Sequence, residues 1–181
     1  MEQKILFLDI ESTNLWSSIG SVVCIGIFDP KKFTEPVIFY VRNYKEEVKA
    51  LSWLKDQIEK NGYNALCGWN SKGYDIPFLV GRAVKLGFEF PEIMKMLNID
   101  LFEVSKNTLK LHSYKMEDVC HWLEIPFESK VKGFMINELY QRSLAGEKEA
   151  ENKIKERCTT DLTALSKLFG KLKKYTHLIS E

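Results

Sequence analysis

The apolar run Ile5-Leu6-Phe7-Leu8 ends in Asp9 and Glu11, and the apolar stripe of the last helix carries a third acid, Asp161. A carboxylate among core residues is expensive unless something cationic neutralises it. If these acids are buried, the fold must bring them positive charge or leave them protonated. The first run is continuously apolar, as in a central strand covered on both faces. Side chains alternate along a strand, so Asp9 and Glu11 point to the same face. Two carboxylates side by side repel each other, and the usual remedy is a shared proton or a divalent cation with oxygen ligands. An Asp-x-Glu behind a strand is also met at exposed strand ends and helix caps, so the pair alone does not decide.

The last helix is an independent signal. Ile154, Cys158, Leu162, Leu165, Leu168, Phe169 and Leu172 recur at helical spacing and mark one core-facing stripe. Asp161 falls inside it; the alternative is an Asp at the stripe's edge paired with a Lys. A fourth acid follows the segment Cys67-Gly68-Trp69-Asn70-Ser71-Lys72-Gly73-Tyr74-Asp75-Ile76-Pro77-Phe78. Here Asn64 to Trp69 is expected to be a short strand, Asn70 to Gly73 a loop, and Pro77 a first-turn helix residue. That puts Asp75 at a helix N-terminus, where Asp also serves simply to satisfy free backbone donors.

Asp9-Ile10-Glu11-Ser12-Thr13, then Asn70 with Tyr74-Asp75-x-Pro77-Phe78, then Cys158-x-x-Asp161 resemble the three exonuclease motifs of the DEDD superfamily. The resemblance is closest to the 3′-to-5′ exonuclease domain of family-B DNA polymerases and its stand-alone relatives. Ser113 to Val119 and Gly133 to Tyr140 agree with that subgroup, so the likeness covers nearly the whole chain. It implies an α/β, RNase H-like fold in which Asp9, Glu11, Asp75 and Asp161 are the metal-binding acids. It also implies Leu15, Trp16, Asn70 and Tyr74 as substrate contacts.

One position departs from the pattern. Polymerase-type members carry a Tyr four residues before the last Asp and the other branch a His five before it; this chain has Arg157 and Glu156 there. In the family that residue positions or deprotonates the attacking water. Arg157 is no base, because a guanidinium stays protonated throughout the physiological range. It lies one turn from Asp161 on the same face, in reach of a phosphate or of the Asp itself. The alternative is a salt-bridged surface Arg on a charged helix. The base role would then pass to Glu156 or another nearby group.

Phosphodiester hydrolysis needs these residue types for a physical reason. Two divalent cations about 3.5–4 Å apart stabilise the attacking and leaving oxygens together and lower the pKa of bound water. Mg²⁺ or Mn²⁺ wants hard carboxylate oxygens, which the four acids supply. The chemistry implied is that of a hydrolase, a nuclease acting from the 3′ end of single-stranded DNA, with RNA as a second candidate substrate. Two alternatives stay open: a weak or inactive nucleic-acid-binding module of the same fold, and a structure-selective endonuclease.

Composition permits this without arguing for it. The 181 residues are 45% hydrophobic, enough for one sizeable core, and residues 1–181 are expected to form a single domain. No stretch is long enough to cross a bilayer, and the N-terminus does not resemble a signal peptide, so a soluble, cytoplasmic protein is expected. Cys24, Cys67, Cys120 and Cys158 are widely spaced in apolar settings, as core residues in a reducing compartment would be. Net charge is only +1, without the basic excess common in nucleic-acid binders. Lys72, Lys130 and Lys132 are candidate phosphate contacts, with solvated loop lysines as the ordinary alternative. His112, His121 and His177 show no ligand spacing, and Asp100 is a rival for the second-motif acid.

The element pattern is that of a mixed five-stranded sheet flanked by helices. Strands are expected near the N-terminus, at Ser21 to Phe28, Pro36 to Arg42, Asn64 to Trp69 and Leu97 to Leu101: three antiparallel, then alternating helix and strand. Helices are expected at Tyr44 to Lys60, with Val48, Leu51, Leu54 and Ile58 inward, and at Pro77 to Leu86. The C-terminal third is helical: a Ser113-capped helix, a short one at Ile136 to Leu144, and the long last one. Trp53 and Trp122 are assigned to the core.

Overall fold

The structure, a computed structural model, describes residues 3–179, with side chains through Thr176. Five strands form one sheet in the order β3-β2-β1-β4-β5. They are β1 (Ile5–Ser12), β2 (Val22–Phe28), β3 (Val37–Tyr40), β4 (Ala65–Gly68) and β5 (Leu97–Asp100). β1 pairs antiparallel with β2 and parallel with β4; β2–β3 is antiparallel and β4–β5 parallel. The central strand is thus the one that ends in the acids.

Alternation along β1 sorts its side chains between two cores. Leu6, Leu8 and Ile10 pack with helices α1 (Glu47–Asn61) and α2 (Asp75–Lys85). Phe7 packs the other way, against α6 (Lys148–Leu172), as do its same-parity neighbours. Asp9 and Glu11 share that parity and so face α6. Phe7 meets Phe169 edge to face at 5.5 Å between ring centres. Eight helical residues back from Phe169 is about 12 Å at 1.5 Å each. Two to four strand residues on from Phe7 is about 7–13 Å. The same packing that joins Phe7 to Phe169 therefore brings Asp161 to Asp9 and Glu11.

Gly26 lets α6 come this close. It pairs with Asp9 across β1 and β2. A Cβ built there would fall against Cys158 Sγ, 2.7 Å from Leu162 Cδ1 and 2.8 Å from Ile38 Cδ1.

Helices α3 (Leu101–Thr108), α4 (Met116–Trp122) and α5 (Ile136–Leu144) complete the α6 side. Several expectations need correction. α3 follows β5 directly; Asp100 caps it by accepting from Phe102 N at 3.0 Å, a start signal the sequence reading passed over in extending the strand. Tyr44–Glu46 is a 3₁₀ turn capped by Asn43, so α1 starts only at Glu47. Within α1, helical spacing puts Glu47 over the Leu51, Leu54 and Ile58 stripe and leaves Val48 at its edge, so Val48 is outward and Glu47 inward. Ser113 is not the cap of α4: the capping position is Lys115, and Ser113 Oγ bonds the Asp118 carboxylate instead. Trp122 is exposed at the end of α4, while Trp53 packs on Phe39 at 5.5 Å. All four cysteines are buried and free, as expected. Among the described residues no helix is long and apolar enough to cross a membrane. The His177 side chain lies outside the described residues.

Gly26→Ala is expected to destabilise by about 1–3 kcal/mol, the usual cost of overpacking a filled interface. The measurement is the urea midpoint at constant m-value; an unchanged midpoint would mean that α6 does not rest on this glycine.

Candidate active site

Asp9, Glu11 and Asp161 each offer a carboxylate oxygen within 4.8 Å of the others. Glu11 and Asp161 are only 6% and 5% exposed. Asp9 Oδ2, Glu11 Oε1 and Asp161 Oδ1 are sealed from solvent and have no hydrogen-bond partner among the described residues. Orphaned buried oxygens of this kind call for a partner of opposite charge.

Asp75 arrives from the other side of β1. β4 stops pairing with β1 at Phe7, and farther along Ile10 N donates to Asp75 Oδ1 at 3.1 Å. Asp75 is the first residue of α2 and 4% exposed, the helix-terminal place the sequence implied. It lines the same cleft without joining the tight group of three.

Asp100 has a different task. Its Oδ1 accepts from Asn70 N at 2.8 Å and its Oδ2 from Lys72 N at 3.0 Å, besides capping α3. It fixes the loop that delivers Asp75. Asn70 belongs to that loop: it adopts the left-handed conformation (φ 58°), its carbonyl accepts from Gly73 N and Tyr74 N, and its exposed side chain does not line the cleft. The geometry gives Asn70 a turn-forming role. Tyr74 does line the cleft, and its hydroxyl shares a hydrogen bond with Ser12 Oγ.

Arg157 faces the acids. Its Nε lies 2.6 Å from Glu11 Oε1, its Nη2 3.2 Å from Asp161 Oδ2, and its Nη1 donates to Val131 O at 2.8 Å. Glu156, the alternative base, is exposed and lines none of the cleft.

Burial dominates the titration of the group. It lifts Glu11 to about 8, against the pull of Arg157. Asp75 goes to about 7, against its backbone hydrogen bonds, and Asp161 to about 6, against Arg157. Asp9 is pushed well above the usual carboxylate range by burial and then by Asp161, Glu11 and Asp75. One guanidinium does not suffice for four acids.

The cleft above them holds about 690 Å³. One lip is the loop after β1, with Leu15 and Trp16 exposed at 75% and 70%. Arg82 Nη1 and Lys85 Nζ hold that loop by the carbonyls of Ser17 and Ser18, at 3.0 and 3.2 Å. The facing lip carries Lys132, Gly133 and Phe134, with Phe134 87% exposed. Phe134 and Lys115 line the cleft without having been singled out from sequence; a large aromatic beside Gly133 in a loop was the available signal. Lys132 faces the cleft paired with Glu117 at 2.9 Å. Lys72, bound to Glu103 at 2.7 Å, and exposed Lys130 lie outside it.

A sequence-family model of the RNase H superfamily matches residues 6–173. The chain belongs to the RNase H superfamily. No curated protein matches it. Among solved structures it is similar to the family B DNA polymerase from the hyperthermophilic archaeon Pyrobaculum calidifontis, with a TM-score of 0.81 at 15% identity. The match covers 96% of this chain and 25% of the polymerase, so the chain spans about a quarter of that protein's length. At that identity the likeness concerns the fold. It is the RNase H-like nuclease fold, with the mixed sheet and helical C-terminal third expected from the motifs.

The acids fix the sign of a pH effect. Their folded-state pKa values are raised, so between the ordinary value near 4 and about 8 the native state binds more protons than the unfolded chain. Without divalent metal, stability should be greatest at the acidic end of this window and fall as pH rises through it. Melting temperatures in chelator across pH 5–8.5 check this; a rise toward pH 8 would show the acids to be better compensated than the geometry implies.

Proposed function

We propose that this RNase H-like chain is a divalent-metal-dependent 3′-to-5′ exonuclease acting on single-stranded DNA, with RNA as the second substrate to try, and that residues 1–181 work as one domain. The observation that carries the reading is the convergence of three sealed carboxylate oxygens on the floor of an open cleft, those of Asp9 and Asp161 unpartnered and that of Glu11 met only by Arg157. These are hard oxygen donors, and they suit Mg²⁺ or Mn²⁺. Asp9, Glu11 and Asp161 would hold such ions, with Asp75 completing the set. When bound, the ions would stabilise charge on the attacking and leaving oxygens and lower the pKa of water.

The chain's own residues supply the rest. Asp75, through Ile10 N, ties the helix start to the strand that carries Asp9 and Glu11. Leu15 and Trp16 give a base an apolar surface from one lip, and Tyr74 stands at the floor beside Asp75. Arg157 stays protonated and so acts by charge and hydrogen bonding, not as a base.

Release of mononucleotides from a 5′-labelled single strand in Mn²⁺ or Mg²⁺ tests the proposal. Asp9→Asn and Asp161→Asn should each lose more activity than the about 10–100-fold that follows loss of an outer partner to a metal ligand. Undiminished cleavage in both variants would overturn it. A circular strand, which has no end, should survive; its cleavage would point to an endonuclease. The Arg157 ion pairs favour a second reading, a nucleic-acid-binding module without turnover, and strand binding with no cleavage in either metal would select it.

The exposed lip gives a separate expectation. Stacking on an aromatic side chain is worth about 1–3 kcal/mol per base, or about 5- to 150-fold in affinity. Trp16→Ala should raise KM by an amount in that range and change kcat little. An unchanged KM would remove Trp16 from the substrate path.

A further inference from the structure

Two Arg–Glu pairs among the described residues, the sealed Arg82–Glu47 and the cleft-lining Arg157–Glu11, are built differently. Arg82 meets Glu47 as a fork, Nε to Oε1 at 2.7 Å and Nη2 to Oε2 at 2.8 Å, both hydrogen-bonded, and Glu47 Oε1 also accepts from Val22 N at 2.8 Å. That is the bidentate arrangement in which a guanidinium binds a carboxylate most strongly. Arg157 instead gives one nitrogen to each of two carboxylates. Its Nε stands 2.6 Å from Glu11 Oε1, an ion pair without the angle of a hydrogen bond, and neither atom has another partner among the described residues. Nη2 lies 3.2 Å from Asp161 Oδ2, and the hydrogen bond of Nη1 goes to a backbone carbonyl.

Resting on the metal-dependent reading above, we infer that the Arg157 guanidinium is a resident cation that competes with a divalent ion for Glu11 and Asp161, holding the metal-free site together and yielding when metal enters. Three further observations support this. Asp161 Oδ1 remains unpartnered although the residue is 5% exposed, so the guanidinium leaves binding capacity unused. Val131 O also accepts from Ser129 Oγ at 2.9 Å, so its carbonyl keeps a partner when Arg157 leaves. The Arg157 side chain is 21% exposed and lines the cleft, so it has a route outward that the sealed Arg82 lacks. Once released, it stands where a substrate phosphate would approach the acids, and a guanidinium binds a phosphate as readily as a carboxylate.

The idea is tested by Mn²⁺ binding without nucleic acid, read by calorimetry and by the paramagnetic resonance signal of free Mn²⁺. Arg157→Gln should bind Mn²⁺ about tenfold more tightly than the wild type. Arg157→Lys, a point charge with no fork, should fall between them and serves if the Gln variant folds poorly. In chelator Arg157→Gln should melt below the wild type, and saturating Mn²⁺ should close that gap. Equal or weaker Mn²⁺ affinity in both variants would overturn the inference and make Arg157 a group that assists the metal. If neither wild type nor variants bind Mn²⁺, the metal-dependent reading falls as well. Tighter binding in the variants with no nucleotide release by any of them would leave the competition standing and remove only the nuclease assignment.

Discussion

The parity of β1 is the constraint on which the rest of the structure depends. Leu6, Leu8 and Ile10 are committed to the α1–α2 core and Phe7 to the α6 core. A slip of one residue would exchange every side chain between faces and strand the apolar residues of one set. That commitment, driven by burial of large side chains worth about 1.5–3 kcal/mol each, carries Asp9 and Glu11 to the α6 face. Their own burial opposes folding, because it takes carboxylates out of water and pushes their pKa up. The acids sit together because the hydrophobic residues beside them leave no other register.

The chain solves its buried-charge problem in two ways. Glu47 and Arg82 satisfy each other, and the pair brackets the loop after β1: Glu47 accepts from Val22 N at its end and Arg82 donates to Ser17 O within it. Removing either partner would leave an uncompensated charge in a sealed position, the costly case for buried ions. At the cleft the acids are only partly satisfied, by one guanidinium and a backbone amide. A permanent ion pair thus supports the lip while an incomplete one occupies the floor. Polar groups that a fold leaves under-satisfied belong where a ligand completes them.

Much of this was legible in the sequence, and the reasons are local. Continuous apolar character marked β1 as central and helical spacing marked the α6 stripe, and the resemblance to the DEDD motifs implied that the acids interrupting both would converge. Contact between Arg157 and Asp161 followed from the four-residue spacing on one helix face. What sequence did not reveal depended on partners distant in the chain. Glu47 reads as the solvated start of a helix until Arg82, thirty-five residues on, is known to reach it. Val48 looked core-facing from its spacing of three to Leu51, but at 3.6 residues per turn it lies about 90° from the centre of the Leu51, Leu54 and Ile58 stripe, where Glu47 falls instead. Asn70 carries a motif position yet works through its backbone, and no side-chain argument exposes a left-handed φ. Phe134 belongs to no apolar stripe, so periodicity gave it no meaning; its 87% exposure at the cleft does.

Charge and shape divide the work of recognition on the exonuclease reading. Lys115, Lys132 and Arg157 line a cleft that also holds Asp9, Glu11, Asp75, Glu117 and Asp161, and Lys132 and Arg157 are already engaged with acids of that set. With a net charge of +1 the protein offers little general attraction to a polyanion. Affinity must then come from short-range contact. Leu15 and Trp16 on one lip and Phe134 on the other present apolar surface that water covers in the free protein, and a base with an exposed face is the part of a nucleic acid that matches it. Stacked duplex bases hide those faces, whereas an unpaired strand presents them. On that reading, the expected preference for single strands would rest on the weakness of the cleft's positive charge as much as on the aromatic lips themselves.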